Sequence, residues 1–194
     1  MELYEVITSR RSATRFAADE PSRAIVERLL TAATWAPYHH CDEPWRFIVV
    51  SGNARHELGE IAAQALDRDP ALPVKAFDRL VLKERERFLR APVIVIVVAL
   101  GAENPIDVEE NYAACCAATQ NLLLAAHNEG LSGYWRTGKI IREQSIRESL
   151  GILEHERIVA MVYIGTPDKG ADVSPATRTS WRNKTEWLDT HLAE

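Results

Sequence analysis

The chain has 194 residues, 46% of them hydrophobic, enough to bury a sizeable core within one domain. A formal charge of −5 argues against broad attraction to nucleic acid and favours small-molecule partners. No apolar run reaches membrane-spanning length, the opening MELYEVITSRR lacks the apolar core of a secretory signal, and three cysteines without paired spacing suggest a reducing, cytoplasmic compartment.

Leu3, Val6 and Ile7 recur at helical spacing and predict a short first helix ending near Arg10. At its exit stands Arg10-Arg11-Ser12. Guanidinium forks match phosphate geometry and a serine hydroxyl adds a donor, so the cluster suits an organic phosphate. With no glycine-rich dinucleotide turn and no Walker lysine nearby, side chains would do most of the holding. The pair equally fits a solvated face or a helix end complementing the macrodipole. Pro21-Ser22 open a second helix with the stripe Ile25, Val26, Leu29, Leu30 and Ala33, which runs on to Trp35 and breaks at Ala36-Pro37. A loop from Pro37 to Pro44 leads into a β-branched and aromatic strand over 45–50. The charged stretch 54–90, interrupted at Asp69-Pro70 and Pro73, predicts two helices with a mobile connection, a candidate lid.

Residues 93–100 are apolar on both faces, as in a central strand covered on each side. A long helix over 108–129 carries Ala113, Ala114, Cys115, Cys116, Ala117 and Ala118, small enough for close helix approach, with both thiols expected to be inert. Gly130 and Gly133 end it and open an extended segment, 134–136, before Gly138. A helix over 142–150, a strand over 158–164 and a polar remainder with Trp181, Trp187 and Leu188 complete the chain. Cys41, Asp42 and Glu43 follow His39 and His40 too closely for one tetrahedral centre, so no metal is assigned.

Four motifs stand in one order: Arg10-Arg11-Ser12; Ala36-Pro37 with His39 before Pro44-Trp45-Arg46-Phe47; Gly133-Tyr134-Trp135-Arg136-Thr137-Gly138; and Tyr163-Ile164-Gly165-Thr166-Pro167. Over roughly residues 1–168 they resemble the FMN-dependent nitroreductase family, most closely its compact bacterial subgroup. The resemblance implies an α+β nitroreductase-like fold, a small mixed central β-sheet wrapped by helices, in an intertwined homodimer with FMN in a cleft between subunits. Residues 1–194 would form a single domain, with a polar C-terminal extension from about residue 170. Arg10, Arg11 and Ser12 would hold the phosphate and ribityl end, and Trp35 and His39 would be flavin contacts supplied across the interface. Trp135, Arg136 and Thr137 would form the loop beside the isoalloxazine, where a backbone N–H meets N5. The end of the long helix, 125–130, would lie near a nicotinamide nucleotide. No side chain is assigned as a catalytic acid or base.

The implied activity takes hydride from NADH or NADPH and passes electrons to a small-molecule acceptor, a nitroaromatic or quinone, by ping-pong turnover. Reductive dehalogenation, oxidation of a specialised metabolite, a non-enzymatic flavin carrier or sensor, and an unrelated α/β domain stand as alternatives. Trp35 and Trp135 also suit core or interface aromatics, and His39 a solvated loop. Two departures stand out: Thr14 occupies a position where many relatives have a basic residue, with Arg15 next, and Trp35 stands where a close relative has arginine. Arg178 and Arg182 either assist phosphate binding or stay exposed, and exposure is preferred.

Overall fold

The apolar runs assemble one four-stranded sheet: β1 (Trp45–Ser51), β2 (Val93–Ala99), β3 (Ser132–Arg136) and β4 (Arg157–Gly165), in spatial order β1-β2-β4-β3. The computed structural model describes residues 1–39, 43–170 and 176–188. β2 is buried along its whole length and divides the core by simple alternation. Val93, Val95 and Val97 face α2 (Arg23–Thr34) and α5 (Pro105–Asn128), where Leu29 and Leu122 are buried. Ile94, Ile96 and Val98 face α3 (Ala54–Gln64), Phe88 and α6 (Gln144–Ser149). Each fully buried aliphatic side chain contributes about 1.5–3 kcal/mol, which makes this doubly covered strand the centre of stability. The register shifts between Val97, opposite Ala160, and Val98, opposite Ile158. Val159 is therefore the extra residue, and Val159 and Ala160 both join the α2/α5 side of the core.

Every adjacent strand pair is antiparallel, so among the described residues the sheet is antiparallel rather than mixed. The connections explain this. α5 carries the chain past one strand position, leaving β3 parallel to β2 but not touching it, and β4 then returns between the two.

Helix α1 (Leu3–Ser9) ends just before Arg10, as its periodicity predicts. In α2, the Ser22 hydroxyl accepts from the Ile25 N–H at 3.4 Å, and the helix stops ahead of Ala36-Pro37. α5 begins three residues before the predicted start because Asn104 caps it, its Oδ1 accepting from Ile106 N–H at 3.0 Å. The region predicted as a lid divides. α3 buries Leu58, Ala62 and Ala63 and is a core layer, whereas α4 (Val74–Arg85) has no buried residue. The helix expected over 142–150 is a 3₁₀ turn, Lys139–Arg142, followed by α6, because Glu143 between them is extended.

Candidate functional site

Leaving α1, residues 10–17 run past the start of β3 and the end of β4. Ser132 Oγ accepts from Ala13 N–H at 2.8 Å and donates to Arg11 O at 3.2 Å, while Ala17 N–H donates to Thr166 O at 2.9 Å. These bonds fix Arg10, Arg11 and Ser12 beside the C-terminal end of α5, where Ser9 Oγ and His127 Nε2 lie 2.8 Å apart.

The two arginines differ. Arg11 Nη1 donates to Thr8 O at 2.7 Å and Arg10 O at 2.8 Å, closing the C-terminus of α1, so the macrodipole reading holds for this residue. Among the described residues Arg10 makes only a long 3.5 Å contact to Ser12 Oγ. Burial, then the charges of Arg11 and Arg178, push the Arg10 guanidinium below its ordinary value. Burial, then the charges of Arg10 and Arg11, lower His127 despite opposition from Glu5. Arg178 is exposed, yet near enough to repel Arg10. Such convergence of half-buried cations fits a phosphate and would be relieved by one.

Trp35 and His39 sit elsewhere. Trp35 closes α2 and is 82% exposed. His39 Nδ1 lies 3.4 Å from Glu110 Oε2 on the rim of a cavity of about 750 Å³ shared with Gly101, Asp107 and Asn111. Between Glu110 and His127 runs the body of α5, about 26 Å at 1.5 Å per residue. Within one chain, the residues of the phosphate half and the histidine of the other half are therefore at opposite ends of one helix.

In the third motif, alternation along β3 separates the side chains. Trp135 is half-buried against the α2/α5 core, and Arg136 Cζ lies 5.3 Å from the Tyr134 ring centroid and 5.4 Å from that of Tyr163 on the other face. Both are committed to packing. Thr137 is exposed, and Gly138, at φ +118°, turns the chain where a side chain would be strained. The loop thus offers a ligand Thr137 and its backbone.

Arg15 does not take the place of a basic residue at 14: its guanidinium donates to Gly170 O. Cys115 is buried, with burial and then Cys116 pushing its thiol up to about 12, so it is inert at neutral pH. His40, Cys41 and Asp42 lie outside the described residues, as do 171–175 and 189–194. Among the described residues no helix is long and apolar enough to cross a membrane, and no His, Cys, Asp or Glu group has metal-binding geometry. Arg178, weighed in the sequence as a phosphate ligand or an exposed residue, is exposed but lies close enough for its charge to act on Arg10. Two neighbours of the cluster carry no signal in the sequence: His127, which reads as a helix-end cation, and Ser132, which reads as turn chemistry between two glycines.

A family model described as the nitroreductase family matches residues 7–166, and the chain belongs to this family of oxidoreductase enzymes. It is 33% identical over 177 residues to the Escherichia coli (strain K12) protein named "Putative NAD(P)H nitroreductase YdjA", covering 90% of this chain and 93% of that one. A nitroreductase-like family protein from Bacillus cereus, known from its crystal structure, superposes with a TM-score of 0.85 at 29% identity, covering 98% of this chain and 97% of the other. A more distant relative, iodotyrosine deiodinase 1 of Rattus norvegicus, is 26% identical over 91% of this chain and 66% of its own length.

Proposed function

We propose that this chain is an FMN-dependent oxidoreductase, a single domain acting as a homodimer, that takes hydride from NADH or NADPH and reduces nitroaromatic or quinone acceptors by ping-pong turnover. The observation that carries this reading is the half-buried Arg10 guanidinium, held at the exit of α1 with Arg11 adjacent and Ser12 Oγ 3.5 Å away, a donor set that suits an organic phosphate. FMN, when bound, supplies the hydride-accepting ring and the electrons passed to the acceptor. Arg10 and Ser12 would bind its phosphate, and Arg178 would close over it from the C-terminal segment. Arg11 would add its remaining donors while holding the end of α1. The Trp135–Gly138 backbone would orient the ring, with Trp135 and Arg136 anchoring that backbone through their packing. Trp35 and His39 would reach the ring of the neighbouring subunit. Little acid–base chemistry is demanded of side chains, so the protein's main contribution is orientation.

Rapid mixing of flavin-loaded protein with NADH or NADPH tests the reading. The visible flavin band should bleach and return on adding a nitroaromatic; failure of both nicotinamides to bleach it defeats the proposal. Reductive dehalogenation is the second reading, favoured by the deiodinase relative. Release of halide from a halophenol faster than nitroaromatic turnover would select it.

A further inference from the structure

β3 stops at Arg136, opposite Met161, while β4 continues back to Arg157 with β2 along its other edge. The uncovered stretch, roughly 13 Å at 3.3 Å per residue, opens on a cavity of about 950 Å³ that begins at Thr137 and Gly138 of the loop. Its walls carry Lys139, Arg142, Arg147 and Arg157 against Glu154 and Glu156. Glu156 is already neutralised, its Oε2 lying 2.6 Å from Arg46 Nη2. Arg147 donates to the carbonyls of Leu153 at 2.7 Å and Glu156 at 3.2 Å, which fix its position without cancelling its charge. At the far end Arg157 Cζ lies over the Tyr112 ring, 3.8 Å from its centroid, a cation–π contact. Lys139 and Arg142 have no side-chain hydrogen bond or ion pair among the described residues.

An uncharged, flat acceptor would not need this excess of cations. A ligand with one end at the ring-side loop, a diphosphate in the middle and a flat base beyond would. We propose that the cavity binds the adenosine diphosphate tail of the nicotinamide donor, with Lys139 and Arg142 on the phosphates and the Arg157–Tyr112 pair beneath the adenine. This rests on the nicotinamide-dependent reading above and specifies how that donor is gripped, with its tail by Tyr112 in the first half of α5 rather than at the 125–130 end expected from the resemblance.

Calorimetric titration of the flavin-loaded protein with ADP, 2′,5′-ADP and benzoate is the test. An adenine nucleotide should bind, and Arg142→Glu should weaken it about tenfold or more, as expected for a lost charge-assisted phosphate contact. Arg142→Gln should show the same direction if the charge reversal misfolds, and Lys75→Ala on α4 should leave binding unchanged. KM for the nicotinamide should rise in step with kcat preserved. No nucleotide binding, binding by both Arg142 variants as tight as by the unmodified protein, or benzoate bound with ADP excluded overturns the proposal, the last assigning the cavity to an anionic acceptor. Flavin content measured on the same samples reports separately on the cofactor reading: an unmodified protein that retains flavin but binds no nucleotide sinks the tail site alone, whereas an unmodified protein that retains no flavin sinks the cofactor reading.

Discussion

Arg10 and Arg11 are adjacent, yet their hydrogen bonds differ: Arg11 closes a helix, whereas Arg10 reaches only Ser12 Oγ among the described residues and is the one proposed to hold a phosphate. Arg10→Ala should weaken FMN retention by about 1.5–3 kcal/mol, the loss of a charge-assisted phosphate bond, read as the Kd from fluorescence titration. Unchanged affinity would remove Arg10 from the site. Thr14→Lys tests whether residue 14, where many relatives carry a basic residue, reaches the ring end of a bound flavin, since Arg15 is tied to Gly170. A cation near the reduced ring should raise its two-electron potential, by about 30 mV if the interaction is worth about 1.4 kcal/mol; spectroelectrochemistry showing no rise would place residue 14 away from the ring. Glu156 supplies the pH-dependent prediction. Burial pushes its carboxyl up, but hydrogen bonds from Arg46 and Leu153 N–H, with the charges of Arg46 and His155, outweigh burial and leave it below the ordinary value. The stabilisation is therefore present above the unfolded-state carboxylate pKa and is lost as pH falls through the lower folded value. Arg46→Ala should cost about 2–3 kcal/mol in urea unfolding at pH 7, a partly exposed case of a broken buried pair, and less in acid. A cost independent of pH would deny the ion pair this role.

At the scale of elements, Gly133 decides how closely β3 seats on α5. A Cβ there would collide with the Leu123 side chain, which is buried. Gly133→Ala should therefore destabilise by about 1–2 kcal/mol and displace the following loop, lowering both the melting temperature and the flavin content. Loss of stability with normal flavin binding would show that the loop tolerates a shift of its strand. Sequence reading works well for such elements where one residue run determines the environment. β2 is legible because an unbroken apolar run can only be covered on both faces, and α1 and α2 because stripe and breaker stand next to each other. The antiparallel sheet is not legible, since it depends on which strand inserts between β2 and β3, a matter of long-range pairing. The site divides in the same way. Arg10, Arg11 and Ser12 are local and readable, whereas Ser132, His127 and Arg178 meet them only after the chain has folded. The opposite faces of Trp135 and Arg136 were available from strand alternation, but which face meets the core was not.

On the scale of the whole molecule, the length of α5 forces a choice. The arginine cradle lies by His127 and His39 lies by Glu110, about 26 Å apart along the helix. If both halves touch one flavin, the second half must come from another chain, related by a two-fold axis that exchanges the ends of α5. The 82% exposure of Trp35 is the corresponding surface feature, a large aromatic left for a partner to cover. Complementation tests this directly. Arg10→Glu disables one half of a site and a paired Trp35→Glu, His39→Glu variant disables the other, so each homodimer should be colourless and inactive. Co-expression should produce mixed dimers in which one site combines two intact halves, restoring up to about a quarter of all sites under random assortment. Flavin content and turnover of the tagged, purified mixture give the fraction. Recovery near that level requires sites shared between chains, whereas no recovery, with mixed dimers verified by mass, would place each complete site within one protomer and leave Trp35 and His39 outside it.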